Sequence, residues 1–242
     1  MRSSLFLKRL PKIDCEHCNS RNESVFKDLC HEDLATLSFK KTCNIYKKGQ
    51  VIFYEGNRPA GLYCLNQGKV KIFKLGKIGK EQIVRLAKPG DVLGYRALLG
   101  EEVYSASAEA LEDSTICFLD KKNFYEVLKH DQNMPVRMMQ LLCHELGEAE
   151  NFIQSLAQKP VRERLAEVIL ILKRKYGTDA ADVNVLSVSL TREDLANLVG
   201  TATETVIRLL SDFKDQQLIS FEGRRLKIMN SEKLLQLSGA DY

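Results

Sequence analysis

No apolar run in this sequence approaches the ~18 residues that a membrane-spanning helix requires. Histidine is scarce. His17, His31, His130 and His144 are the four present, and no catalytic constellation is legible. The Met1–Lys12 segment carries a short apolar patch at Leu5–Leu7 but neither the h-region nor the cleavage site of a signal peptide. A cytoplasmic protein that is not an enzyme is expected, with no membrane partner. Charge of one sign is lacking too. The net charge is +4 over 242 residues, and residues 161–242 hold twelve Lys/Arg against twelve Asp/Glu. Bulk charge therefore does not point to nucleic acid, and any DNA contact must come from local placement. The length suits one large or two modest domains.

The most informative stretch is LTREDLANLVGTATETVIRLL, residues 190–210. Thr191 reads as an N-cap, with Glu193 and Asp194 favouring the first-turn amides. Leu195 and Leu198 repeat at helical spacing, and Gly200 supplies the left-handed conformation that ends the helix. Thr201 or Thr203 is placed to cap a second helix. Val206, Leu209 and Leu210 share its inner side, and Thr203, Glu204, Ile207 and Arg208 its outer one. An ordinary helical hairpin in a core has the same spacing, but a β-hairpin follows directly. Leu218 and Ile219, a turn at Glu222-Gly223, then Leu226 and Ile228 alternate with Arg225 and Lys227. Helix-turn-helix plus a basic wing is more specific than either alone. The surface expected to meet DNA is Thr191, Arg192, Thr201, Thr203, Glu204, Ile207, Arg208, Arg224, Arg225 and Lys227.

The stretch LTREDLANLVGTATETVIRLLSDFKDQQLI resembles the DNA-binding domain of the CRP/FNR family of bacterial transcription regulators. The family's E-T-x-x-R recognition pattern is matched by Glu204, Thr205 and Arg208. The resemblance implies that Glu204 accepts from a cytosine amino group and that Arg208 forks onto a guanine, chemistry the base edges allow. Ile207 is placed to meet a thymine methyl.

Seven cysteines in a cytoplasmic chain argue against a disulfide framework and for free thiols, metal or redox chemistry. Cys15-Glu16-His17-Cys18 is a C-x-x-C, followed by Cys30 and His31. Two free thiols is one reading of it. The resemblance to FNR-type members implies an iron–sulfur cluster held by an N-terminal cysteine group and one distant cysteine. Cys15 and Cys18 resemble the pair, and Cys117 in STICFLD matches the distant residue. Ser24 stands where the remaining cysteine should be, so Cys30, at the N-cap of a helix beginning near His31, becomes the fourth candidate. Zinc on Cys15, Cys18 and Cys30 or His31 is a third option. Cys43, Cys64 and Cys143 read as packed core thiols.

Nine of the fourteen glycines lie between Gly49 and Gly100, punctuating short β-forming runs such as KVKIFK at 69–74. These suggest a small barrel or jelly roll. The resemblance implies a cyclic-nucleotide-binding-like β-roll, a double-stranded β-helix, with turns at Gly49, Gly56, Gly68, Pro89-Gly90-Asp91 and Gly94. Nucleotide-binding members carry Gly-Glu for the ribose and Arg-Ser for the phosphate. Here the positions read Gly94-Tyr95 and Tyr104-Ser105, with Arg96 nearby. A buried phosphate needs a fixed cation, so cyclic AMP binding is not expected.

Residues 134–158 read as one long helix, in which Met139, Leu142, Leu146, Ala149, Ile153 and Leu156 form a heptad seam that wants a partner helix. The resemblance implies a parallel dimer there. Pro160 opens the next unit, where Leu165, Val168, Ile169 and Leu172 face inward from a helix over 161–176. The expected fold is α+β, in three parts: residues 1–132, the cysteine segment and β-roll sensor; 133–159, the dimerisation helix; 160–242, the winged helix-turn-helix. The expected function is a sequence-specific regulator that binds a palindromic operator as a homodimer under control of the N-terminal domain. Its partners would be double-stranded DNA, a second copy of itself and RNA polymerase. The alternative is an iron–sulfur or metal/redox sensor acting through protein partners.

Overall fold

The computed structural model describes residues 13–77 and 79–239, so the Met1–Lys12 segment with its Leu5–Leu7 patch lies outside the described residues. The chain divides into two compact units, Met1–Lys71 with Ala87–Leu142, and Ile72–Leu86 with Cys143–Tyr242.

A short 3-10 helix at Asn19–Glu23 leads to α1, His31–Lys40. Strands follow in short runs: β1 Thr42–Tyr46, β2 Val51–Phe53, β3 Gly61–Gln67, β4 Val70–Leu75, β5 Glu81–Ala87 and β6 Val92–Leu93. After the short helix α2, Tyr95–Leu99, come β7 Ser107–Ala110, β8 Ser114–Asp120 and helix α3, Lys121–His130. The strands form two four-stranded sheets ordered β1-β8-β3-β6 and β2-β7-β4-β5, the roll expected from the glycine-punctuated sequence. Leu34 and Leu37 of α1, Leu62 of β3, Leu119 of β8 and Phe124 and Val127 of α3 share one buried core.

Helix α4, Met134–Gln158, spans the length read from the sequence. Met134 and Met138 are buried in the first unit's core, and Arg137 there pairs with Asp131 at 2.7 Å. Beyond that first turn the seam opens. Met139, Leu146 and Ile153 are 56%, 60% and 64% exposed in the single chain, a stripe with no covering surface of its own. Among the described residues, no helix is long and apolar enough to cross a membrane.

The second unit is built on α5, Val161–Tyr176, which buries Leu165, Val168, Ile169 and Leu172. It packs against α6, Arg192–Val199, and against the terminal helix α8, Ser231–Ser238. Between these lie α7, Thr203–Asp215, and the hairpin of β9, Ile219–Glu222, with β10, Arg225–Ile228. The segment after α5 adds a short third partner to the hairpin, since Ile228 donates to the Asn184 carbonyl and Leu186 to that of Leu226, both at 2.9 Å.

Candidate nucleic-acid interface and cysteine cavity

Helix α6 begins with a capping box. Thr191 Oγ1 accepts from the Asp194 amide at 2.9 Å, and Asp194 accepts from the Thr191 amide at 3.2 Å, which satisfies two first-turn donors. Gly200 ends the helix with φ +74°, a left-handed conformation in which a side chain is strained. A Cβ there would also stand 2.8 Å from Leu156 Cδ2. Arg164 braces the turn. Its guanidinium donates to the carbonyls of Val199 at 3.0 Å and Gly200 at 3.3 Å, and also to those of Leu156 at 3.3 Å and Lys159 at 2.9 Å.

Helix α7 buries Val206, Leu210 and Phe213 and exposes Glu204, Ile207 and Arg208. The inner and outer faces are those read from the sequence, with Phe213 added and Leu209 only half-buried. The capping expectation is corrected: neither Thr201 nor Thr203 caps this helix. Ala202 holds the N-cap position with no side-chain bond, and Thr203 is the first helical residue. The Thr201 carbonyl instead accepts from Lys80 at 2.9 Å.

The wing also differs from expectation. Glu222 pairs with Arg225, so the turn is Gly223-Arg224, one residue later than the sequence suggested. Gly223 has φ +61°, as a two-residue hairpin turn demands. Arg224 is exposed. Arg225 instead pairs with Asp179, and Lys227 Nζ lies 2.5 Å from Asp182. The Asp182 hydrogen bond raises the Lys227 pKa, and the backbone amide of Ala181 together with Arg225 lowers that of Asp179. Arg192 stacks its guanidinium 4.2 Å from the Phe221 ring centre, and burial lowers its pKa. Of the three wing cations, Arg224 is therefore the one presented outward, while phosphate would have to compete with aspartates for the other two.

In the first unit a cavity of about 60 Å3 is lined by Cys15, Cys18, Cys64 and Cys117 together with Lys41 and Asn66. Cys15 is held there by its amide, which donates to Ser38 Oγ on α1 at 2.8 Å. Ser38 in turn donates to Asp14 at 2.9 Å; the bonds from His17 and Ser38 hold Asp14 down at about 2. Lys41 Nζ donates to Cys15 Sγ at 2.9 Å and Asn66 Nδ2 to Cys18 Sγ at 3.2 Å. Burial, then the nearby Cys15, pushes the Cys64 thiol up to about 12.

This set differs from the one expected. Cys30 lies away from the cavity, where its thiol donates to Asp33 at 3.3 Å. His130 contacts the same carboxylate at 2.9 Å. Cys64, read from the sequence as a packed thiol, takes the place expected for Cys30. Cys143 is exposed rather than packed. The expectation of no disulfide is also corrected, because Cys43 and Cys117, directly opposed on β1 and β8, are bonded to each other. The donor set fits a thiophilic group such as an iron–sulfur cluster: four cysteines line one cavity, with N–H donors to two of the sulfurs. That fit requires Cys117 in its reduced form.

At the expected nucleotide positions, Tyr104 is buried and its ring stacks on Phe53 with centroids 4.1 Å apart. A Cβ on Gly94 would stand 3.1 Å from the same ring. Arg96 is exposed and donates to Ser105.

The family model described as the cyclic nucleotide-binding domain matches residues 44–131, and that of the Crp-like helix-turn-helix domain matches residues 163–237. The transcriptional activator protein anr of Pseudomonas aeruginosa is 25% identical over 240 residues, covering 99% of this chain and 98% of the relative. The fumarate and nitrate reduction regulatory protein of Escherichia coli is 30% identical over 193 residues, 80% of this chain and 77% of the relative. The solved structure of FixK2 from Bradyrhizobium japonicum superposes with a TM-score of 0.73 at 27% identity, over 84% of this chain and 99% of that one. The β-roll precedes the helix-turn-helix and its wing, each within the span of its matching family model, and the chain belongs to the CRP/FNR family of transcription regulators.

Proposed function

We propose that the protein binds a palindromic operator as a homodimer, with α7 of each copy in the major groove. The observation that carries this reading is the division of α7. Val206, Leu210 and Phe213 anchor one face, and Glu204, Ile207 and Arg208 stand free on the other. Glu204 accepts from a cytosine amino group, Arg208 forks onto a guanine and Ile207 meets a thymine methyl. Thr191, Arg192, Thr201, Thr203 and Arg224 border the groove and supply backbone contacts. The seam of Met139, Leu142, Leu146, Ala149, Ile153 and Leu156, exposed at Met139, Leu146, Ala149 and Ile153 and half-buried at Leu142 and Leu156, pairs two copies. Two-fold pairing sets the half-sites about one turn, ~34 Å, apart. Selection from random duplexes followed by footprinting tests the reading. A two-fold symmetric consensus with a G·C pair in each half is expected, and recovery of no consensus would sink it. RNA polymerase is the partner through which transcription responds, and the cytoplasm is where DNA and polymerase are met.

The signal is a second matter. Cyclic AMP is disfavoured because an aromatic ring, Tyr104, stands where the phosphate-binding arginine would be needed. The cysteine cavity is the better sensor, and relatives named for fumarate and nitrate reduction support a redox signal. A redox sensor that acted only through protein partners would lack the free face of α7. Catalysis plays no part in this reading. Where Cys30, Asp33 and His130 meet, the carboxylate lies between thiol and imidazole and takes hydrogen bonds from both, so no nucleophile–base pair is formed.

A further inference from the structure

Cys117 has a cysteine on each side. Across β1 and β8 it opposes Cys43, and across β8 and β3 it opposes Cys64. Directly opposed residues of antiparallel strands point to the same face. Cys43, Cys117 and Cys64 therefore form one row over three strands, with Cys117 in the middle. It is bonded to Cys43, yet it also lines the cavity that Cys15, Cys18 and Cys64 line.

We propose that Cys117 is shared between two mutually exclusive states. In the oxidised chain it is the disulfide partner of Cys43. In the reduced chain it is the fourth thiolate of a Cys15–Cys18–Cys64–Cys117 site for an iron–sulfur cluster. This rests on the reading of the cavity as the sensor and deepens it by naming its ligands and its competitor. Cys30 has no part in the site, because its thiol donates to Asp33 away from the cavity.

Two observations select this chemistry. Lys41 and Asn66 direct N–H donors at Cys15 and Cys18 sulfur, and such donors stabilise ligated thiolates. The thiols also line a space and do not converge on a point. Among the described residues, the groups of three or more ligand atoms within 4.8 Å of one another are Cys30–Asp33–His130 and Asp14–Glu16–His17, and neither contains a cavity thiol. A lone zinc ion with Zn–S bonds of about 2.3 Å draws its sulfurs to roughly 3.8 Å apart. A cluster of several irons accepts a wider set.

Conversion is a two-electron exchange. A cellular dithiol attacks the Cys43–Cys117 bond, its own two sulfurs end as a disulfide, and its two protons pass to Cys43 and Cys117 as these become thiols. Cluster uptake then releases the proton of each thiol that becomes a ligand. A chain in a reducing compartment spends most of its time open to loading, and oxidation withdraws the fourth ligand.

The test uses the full chain, prepared without oxygen and given ferrous iron and sulfide, or zinc, with and without dithiol pretreatment. Iron, sulfide and zinc are counted per chain, and accessible thiols are alkylated and mapped by mass spectrometry. Expected are visible absorption, bound iron and sulfide only after dithiol, and protection of Cys15, Cys18, Cys64 and Cys117 while Cys30, Cys43 and Cys143 are alkylated. Cys43→Ser should load without dithiol, Cys64→Ser should lose loading, and Cys30→Ser should keep it. Protection of Cys30 in place of Cys64, or full loading without dithiol, overturns the proposal. Zinc retained in place of iron and sulfide overturns the cluster. The mapping needs no variant, so a misfolded Cys64→Ser leaves the outcome decisive. Operator binding is measured separately: a chain that loads but binds no DNA sinks the regulator reading alone, and one that binds DNA but never loads sinks the sensor site alone.

Discussion

Arg164 Nε donates to the Val199 carbonyl at 3.0 Å, joining the base of α5 to the last turn of α6. The other arms of the same guanidinium reach the carbonyls of Gly200, Leu156 and Lys159. One planar fork thus serves carbonyls at the end of α4 and at the turn that aims α7. Arg164→Met should remove all four bonds and cost roughly 3 kcal/mol of stability, because carbonyls at the turn lose a charged donor. Arg164→Lys should recover little, since a single ammonium cannot reproduce the fork. Urea denaturation followed by circular dichroism measures both, and wild-type stability in either variant would remove Arg164 from this role.

Base reading makes a sharper forecast. Arg208→Ala should weaken cognate binding by ~1–3 kcal/mol and flatten preference at one base pair. Glu204→Ala should do the same at a neighbouring pair. Binding to a panel of single-base operator variants separates them, and an unchanged preference profile for Arg208→Ala would contradict its contact with guanine.

The wing cations should behave unequally. Arg224 stands free on the turn, whereas Lys227 is held by Asp182 and Arg225 by Asp179. Arg224→Ala should reduce the slope of log affinity against log salt by about 0.9, the loss of one phosphate contact. Lys227→Ala should leave that slope nearly unchanged. Equal losses from the two would mean that the aspartates release their partners on DNA.

How far the sequence carried these conclusions depends on the range of the interaction. Periodicity made α4, α5, α6 and α7 legible, since each is a local pattern of apolar positions, and Gly200 marked the turn directly. The Ala202 N-cap was not legible, because two threonines beside it had the better capping chemistry. Arg164 looked like one more polar residue on an amphipathic helix; the carbonyls it serves lie in other elements. Asp179 and Asp182 belonged to an unremarkable loop until the fold set them beside Arg225 and Lys227. Cys64 and Cys43 were indistinguishable from core thiols because strand register, which makes them neighbours of Cys117, leaves no mark in a single sequence.

The seam on α4 should decide the oligomeric state. Leu146 and Ile153 are among the most exposed large apolar residues of the helix, and a charge at either would face its own copy across a two-fold axis. Leu146→Glu with Ile153→Glu should convert a dimer to a monomer in sedimentation and lower operator affinity by at least roughly a hundredfold, because the two half-sites lose their linkage. A variant that stays dimeric would place the interface elsewhere.

Stability should respond to pH through His130. The Asp33 hydrogen bond, followed by its charge, raises the His130 pKa above the ordinary value of 6.5, with Glu32 and Asp131 adding smaller effects in the same direction. The folded chain therefore binds this proton more tightly than the unfolded chain does. The contribution of the pair is fully present below the ordinary histidine value and is lost as pH rises through the raised folded value. Melting temperatures of wild type and His130→Gln should differ most below the ordinary histidine value and converge as pH rises above the raised folded value. Asp33→Asn should abolish the same pH dependence, since it removes the carboxylate that holds the proton. A constant difference between wild type and His130→Gln across that range would show that the imidazole acts there by packing and not by its charge.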